Sequence, residues 1–253
     1  PGQTCATFDA LCDPSNDYGA WRDLANGTPA VPVALLRTGA PERPFIRQVI
    51  GIERHFGVVM LRSRSPYRDL AMLQSALSVV DDVNNVIVVL DFGYIRGSLE
   101  ARQQEALHVI NSLRAIDGSA RIVVMASSFP KAISAYGEFG GTLEIIERDF
   151  HQRLGGDEVV IYGDHAAIFP DPFEPSISRF VPRIDYCLDL AWLFERRRSD
   201  NGGYVQCAQN IVGTPDWDPA FADHAWGAGK IREVANTAAV PAGFGAPANW
   251  APG

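Results

Sequence analysis

Carboxylates, one imidazole and several arginines recur in this chain at one kind of place, directly behind short aliphatic runs. "VIVVLDFGYI" (86–95) ends its run on Asp91, and "EVVIYGDHAAI" (158–168) carries Asp164 and His165. "VPVALLRTG" (31–39) is followed by Arg37, and "FGVVMLRSRS" (56–65) holds Arg62 and Arg64. "RIVVMASSFP" (121–130) closes on Ser127 and Ser128. A carboxylate binds a divalent cation or takes a proton as general base, and an imidazole titrates near neutrality. A guanidinium offers paired N–H donors to an anion. Asp91, Asp164 and His165 are therefore the catalytic candidates, and Arg37, Arg62 and Ser128 the ligand-binding ones. The chemistry they suit is metal-assisted hydrolysis of a phosphate-containing or nucleotide-like substrate, with the metal itself unknown. The competing account is that such residues only satisfy loop backbone or form ion pairs, such as Arg62 with Asp91.

The elements that must position these groups follow from periodicity. The five runs are continuously apolar rather than alternating, which suggests strands covered on both faces, as in a parallel sheet. Between them, 65–83 places Leu70, Leu73, Leu77 and Val80 at helical spacing, and 98–116 does so with Leu99, Ala106, Val109, Ile110 and Leu113. The stretch 140–156 predicts a third helix, with Leu143, Ile146, Phe150 and Leu154 on one face. Strands alternating with helices at intervals of roughly 30 residues indicate a parallel α/β domain. In such folds ligands gather at the carboxyl ends of the strands, where the candidate residues lie.

The 253 residues are 47% hydrophobic and 21% charged, enough for a sizeable core. A net charge of -8 disfavours a nucleic-acid or anionic-membrane surface. No run approaches the roughly 20 apolar residues that span a bilayer, and "PGQTCATFDA" lacks the pattern of a signal peptide. The expectation is a cytoplasmic protein without a membrane partner. Cys5, Cys12, Cys187 and Cys207 have no metal or disulfide-framework spacing and read as buried thiols. No phosphate-cradling loop, dinucleotide fingerprint, H-E-x-x-H or G-x-S-x-G motif is present. After residue 168 the texture changes to Pro-rich and Gly-rich segments, so 1–168 reads as the βα-repeat portion and 169–253 as a C-terminal extension.

The ordered series "LDFGYI", "SSFP", "ERDFH", "GDHA", "PRIDY" and "GAPANW" resembles the beta family proteins of phages, prophages and bacterial defence-type gene neighbourhoods. The resemblance implies a (β/α)8 TIM-barrel-like fold followed by an irregular and helical extension. It makes "TCATFDAL" (4–11) the third strand, ending at Asp9, so that the count reaches eight only with two strands ahead of Pro1. Gly163-Asp164-His165 stands where relatives read Gly-Asp-Tyr. The matching positions are Asp9, Arg62, Asp91, Ser128, Phe129, Pro130, Arg148, Asp164, Arg183, Tyr186 and Trp250. Through this resemblance Arg148, Arg183 and Tyr186 join the ligand-binding candidates.

Two functions remain open on the sequence. One is an enzyme that holds its anionic substrate at the strand ends. The other is a non-catalytic binding or scaffold module that recognises a protein or other macromolecular partner in phage–host conflict. The aromatic residues Trp217, Trp226, Phe244 and Trp250 are its candidate contacts. A binding module would leave the rim charges paired with one another and the aromatics on the surface, whereas an enzyme would converge the charges on a pocket.

Overall fold

A computed structural model describes residues 10, 13, 19–27, 33–38, 41–171, 181–242 and 244. The expected strand at 4–11 with Asp9, the thiols Cys5 and Cys12, and Trp250 lie outside the described residues, as does the side chain of Arg37. In chain order the first elements are α1 (Gly19–Asn26), β1 (Ala34–Arg37), α2 (Glu42–Phe56), β2 (Val59–Ser63), α3 (Leu70–Val79), β3 (Val86–Tyr94), α4 (Leu99–Arg114) and β4 (Arg121–Ser127). They are followed by β5 (Gly140–Glu144), α5 (Ile146–Arg153), β6 (Ile161–Asp164), β7 (Arg183–Cys187), β8 (Ala191–Arg196), α6 (Gly203–Val212), α7 (Phe221–His224) and α8 (Trp226–Thr237). These segments form two compact units, one of residues 1–126 and 147–164, the other of 127–146 and 165–253.

The first unit is built on a five-stranded sheet of order β1-β2-β3-β4-β6. Each of the five aliphatic runs supplies one strand, and β1–β2, β2–β3 and β4–β6 pair in parallel. Register aligns Ala34 with Val59 and Val86, and Leu36 with Leu61 and Val88, so all six side chains share one face. Every one of them is buried. Helix α2 packs there on β1 and β2, burying Phe45, Val49 and Ile52, which recur at helical spacing. α3 buries Leu73, Ala76 and Leu77, and α4 buries Ala106, Val109, Ile110 and Leu113, much as their spacing foretold. The opposite face departs from the expectation of full cover: Leu35 is 43% exposed, and Met60 and Ile87, registered beside it, are only half-buried. The sheet is described from β1 to β6 as a run of sequential strands. It is a mostly parallel α/β arrangement.

α2 ends at Gly57, whose φ of 72° lets its N–H close on the Glu53 carbonyl at 2.7 Å. A Cβ there would meet no atom within 4 Å, so only the left-handed backbone opposes a side chain. Gly57→Ala is expected to cost about 1 kcal/mol, the usual penalty of that conformation for an L-residue, read as a lowered urea midpoint.

The second unit corrects one reading. Residues 140–144 are a strand, not the start of a helix over 140–156, and the helix begins only at Ile146. β5 is the first member of an antiparallel sheet of order β5-β8-β7. Gly140 and Gly141 pass close to β8, where a Cβ on Gly141 would stand 3.3 Å from the Phe194 ring. Ile184 and Tyr186 face α6 and α8 and join Cys207, Ile211, Ile231 and Val234 in one core. Phe129, Ile133, Leu143, Ile145, Trp192 and Phe194 form another. Trp217 packs on Tyr186 and Phe244 on Tyr204, each with ring centroids 5.1 Å apart, so these aromatics fold back into their own unit. Trp226 is 59% exposed. Cys207 is buried, as expected of the thiols, but Cys187 is exposed on the end of β7.

Candidate functional site

Asp91 answers for its own burial. β3 outruns its neighbour: Ser63, the last residue of β2, aligns with Leu90, and β3 continues to Tyr94. Asp91 therefore lies inside a strand, just beyond the point where β2 stops, and its side chain is fully buried. Arg62 Nε and Nη2 donate to Asp91 Oδ2 at 3.1 and 2.5 Å, and Arg64 Nε stands 3.5 Å from the same oxygen. The other oxygen, Oδ1, accepts from the Gly93 backbone N–H at 2.9 Å, a turn made possible by the positive φ of 62° at Gly93. One carboxylate thus ties Arg62 of β2, and Arg64 just beyond that strand, to a backbone kink in β3. The Arg62–Asp91 pair that competed with a catalytic role in the sequence is formed.

Asp164 ends β6 and accepts from the Tyr162 hydroxyl at 2.9 Å. Burial first, then the neighbouring Asp164 carboxylate, pushes the Tyr162 phenol well above its ordinary value, so it stays protonated and donates. β4 lies between β3 and β6, which sets Asp91 and Asp164 two strand spacings apart, roughly 10 Å. Among the described residues no three His, Cys, Asp or Glu side chains stand together as metal ligands. Arg148 is carried by α5, half-buried, in this same unit.

The candidates of the second unit are Ser128, His165, Arg183 and Tyr186. Ser128 Oγ accepts from Ile146 N–H at 3.0 Å and donates to the Glu144 carbonyl at 3.3 Å, joining the end of β5 to the start of α5. Ser127 Oγ likewise caps Phe129 N–H at 3.1 Å. Arg183 Nε donates to Asp185 Oδ2 at 2.9 Å. Tyr186 is 5% exposed, and its hydroxyl accepts from Asp218 N–H at 3.2 Å. His165 is half-buried behind Asp164 in the chain.

A cluster that no motif announced lies at the ends of β1 and β2. Asp69, in front of α3, accepts from Thr38 Oγ1 at 2.5 Å and Ser63 Oγ at 2.7 Å on Oδ2, and from Arg68 Nε at 3.1 Å on Oδ1. All of Thr38, Ser63 and Asp69 are buried. Three separate segments contribute to it, so only the aliphatic-run-plus-polar-end pattern at Thr38 and Ser63 hinted at it. Burial pushes the Asp69 carboxyl up, but the hydrogen bonds from Thr38, Ser63 and Arg68 outweigh this and hold it below its ordinary 3.8. A carboxyl lowered in the folded state stabilises fully above the unfolded value and loses that contribution as pH falls through the folded one. Asp69→Asn is thus expected to flatten the decline of stability below about pH 4, measured by urea unfolding at a series of pH values.

Among the described residues no helix is long and apolar enough to cross a membrane. The profile of a protein family described as Beta protein matches residues 7–252. A curated relative, "Protein beta" of Enterobacteria phage P4, is 33% identical over 251 residues, an alignment that covers 97% of this chain and 70% of the relative. No solved structure matches the chain.

Proposed function

The chain belongs to the beta protein family, and from that premise we propose that it works as a non-catalytic binding module for a macromolecular partner in phage–host conflict. The observation that carries this reading is the state of Asp91. The carboxylate best placed for chemistry is fully buried and engaged by Arg62, Arg64 and Gly93. Such a group neither abstracts a substrate proton nor offers lone pairs to a metal without first breaking its own pairs. The same pairing recurs at Arg183–Asp185 and Tyr162–Asp164. The phage origin of the P4 relative supports the setting. Arg64, with 43% of its side chain exposed, is the contact in this reading for an acidic or phosphate-bearing group of the partner.

The fold belongs to the same proposal. The sequential order β1-β2-β3-β4-β6 is that of a sector of a (β/α)8 barrel, in which the strands follow one another around the ring. A crystal structure in which β1 gains a second, parallel strand neighbour bears this out, and an open edge at β1 overturns it.

The functional test incubates the protein with nucleotides and sugar phosphates in the presence of Mg²⁺, Mn²⁺ or Zn²⁺ and follows phosphate release and thermal shift together. The expected pattern is no release above the blank, with any rise in melting temperature induced by a sugar phosphate lost in Arg64→Ala. Phosphate release that disappears in Asp164→Asn while the melting temperature stays unchanged restores the hydrolase reading.

A further inference from the structure

One face of the antiparallel sheet carries two polar atoms that its own packing does not satisfy. β7 and β8 align Arg183 with Arg196, Asp185 with Phe194 and Cys187 with Trp192. Paired residues of an antiparallel ladder point to the same side, so Asp185 and Trp192 are diagonal neighbours there, with Cβ atoms roughly 7 Å apart. Trp192 is 8% exposed, and its indole Nε1–H has no acceptor. Asp185 gives Oδ2 to Arg183 Nε at 2.9 Å, whereas its buried Oδ1 has no donor. Buried polar atoms are nearly always hydrogen-bonded, and an exception in a folded protein marks strain, chemistry or a missing partner. A donor and an acceptor orphaned on adjacent strands of one face point to the third.

The surroundings narrow what that partner is. The Phe129 ring meets Trp192 at 87° with centroids 6.0 Å apart, and the Arg183 guanidinium lies over the same ring at 5.2 Å. Aromatic and guanidinium planes of this kind are the surfaces on which flat heterocycles stack. Arg183 and Arg196 stand directly opposite each other on the neighbouring strands, a like-charge pair that favours an anion between them. Arg183 is one-third exposed and lies over this face at its solvent edge. Burial, against the opposing effect of Arg183, raises the Asp185 carboxyl above its ordinary value, as expected of an acceptor that lacks its full set of donors.

We propose that this face binds a nucleotide whose base carries an N–H beside a carbonyl: Asp185 Oδ1 accepts the N–H, Trp192 Nε1–H donates to the carbonyl, and Arg183 with Arg196 takes the phosphate. The lactam edge of guanine or uracil presents that donor and acceptor on adjacent atoms. The site lies wholly within the second unit, and the proposal does not rest on the binding-module reading of the strand-end arginines.

Isothermal titration calorimetry on the full chain tests it with GMP, UMP, 3-methyl-UMP and ribose 5-phosphate. Trp192→Phe keeps a ring and removes only the N–H, and Asp185→Asn keeps the shape of the side chain. Far-ultraviolet circular dichroism and melting checks that both variants remain folded. The expected result is binding of GMP or UMP, weakened roughly tenfold by each substitution, the worth of one buried hydrogen bond. 3-Methyl-UMP, which lacks the N–H, binds at least roughly tenfold more weakly than UMP if UMP is the ligand. Failure of both GMP and UMP to bind overturns the proposal, as does equal affinity for ribose 5-phosphate, since the base would then contribute nothing. Binding unchanged in both folded variants overturns it as well. So does a crystal grown with GMP in which only a water bridges Asp185 and Trp192.

Discussion

Asp91→Asn is expected to lower the stability of the first unit by about 3 kcal/mol, the lower end of the usual cost of removing one member of a buried ion pair, because Arg62 keeps 23% of its side chain exposed. The size follows from what is left behind. Arg62 loses the acceptor of two hydrogen bonds and Arg64 its nearby countercharge, both against a carboxyl site that no water reaches. The Asn amide can still accept from Gly93 N–H, so the kink survives while the charge balance does not. Urea unfolding read by hydrogen exchange of β2 and β3 amides is the suitable measurement, because a chain of two units need not unfold in one step. A double-mutant cycle with Arg62→Met separates the pair from the residue: a coupling energy near zero means that Asp91 does not act through Arg62. A drop of less than about 1 kcal/mol for Asp91→Asn reopens the catalytic reading, because a group held for chemistry costs little stability when it is neutralised.

Phe194→Ala carries the second large effect, about 3–5 kcal/mol in the second unit. Phe194 is fully buried at the centre of β8, the middle strand, with β5 on one side and β7 on the other. On the β5 side only glycines face the cavity, since Gly141 is the register partner of Phe194 and Gly137 also lies against the ring, so relaxation is left to the cluster of Phe129, Ile133 and Trp192. A site that relaxes from one side only keeps most of its cavity cost. Faster exchange of β7 and β8 amides, with β2 and β3 unchanged, is the expected signature. Equal loss in both sets of strands means that the two units unfold together.

The sequence disclosed the parts whose partners lie close along the chain. Five aliphatic runs became five strands because parallel neighbours in the order β1-β2-β3-β4-β6 need only local patterning and an intervening helix. It misled at 140–156, where Leu143, Ile146, Phe150 and Leu154 hold helical spacing across a boundary. The first of these belongs to a strand whose partner is Trp192, and no window of sequence contains both. β7 carries a fair signal of its own: Ile184 and Tyr186 alternate with Arg183, Asp185 and Cys187 in the period-two pattern of a strand with unlike faces. Of the candidate site, residue types at the strand ends were legible and their employment was not. Whether Arg62 reaches Asp91 or a ligand depends on β3 extending past β2, a difference in strand length that periodicity does not encode.

The second unit is interrupted in the chain, and this sets a timetable for biosynthesis. Residues 127–146 belong to it, yet 147–164 return to the first unit before the rest of the second is made. β5 therefore leaves the ribosome with no sheet to join, and Leu143 cannot be covered until Trp192 has followed. At ~5–20 residues per second that wait lasts seconds, long for an apolar segment in a nascent chain. The first unit, whose neighbouring strands are made in succession up to β4, has no such delay until α5 and β6 arrive. A nascent chain stalled before residue 191 is then expected to protect β1 to β3 from protease and to leave 127–146 open to cleavage.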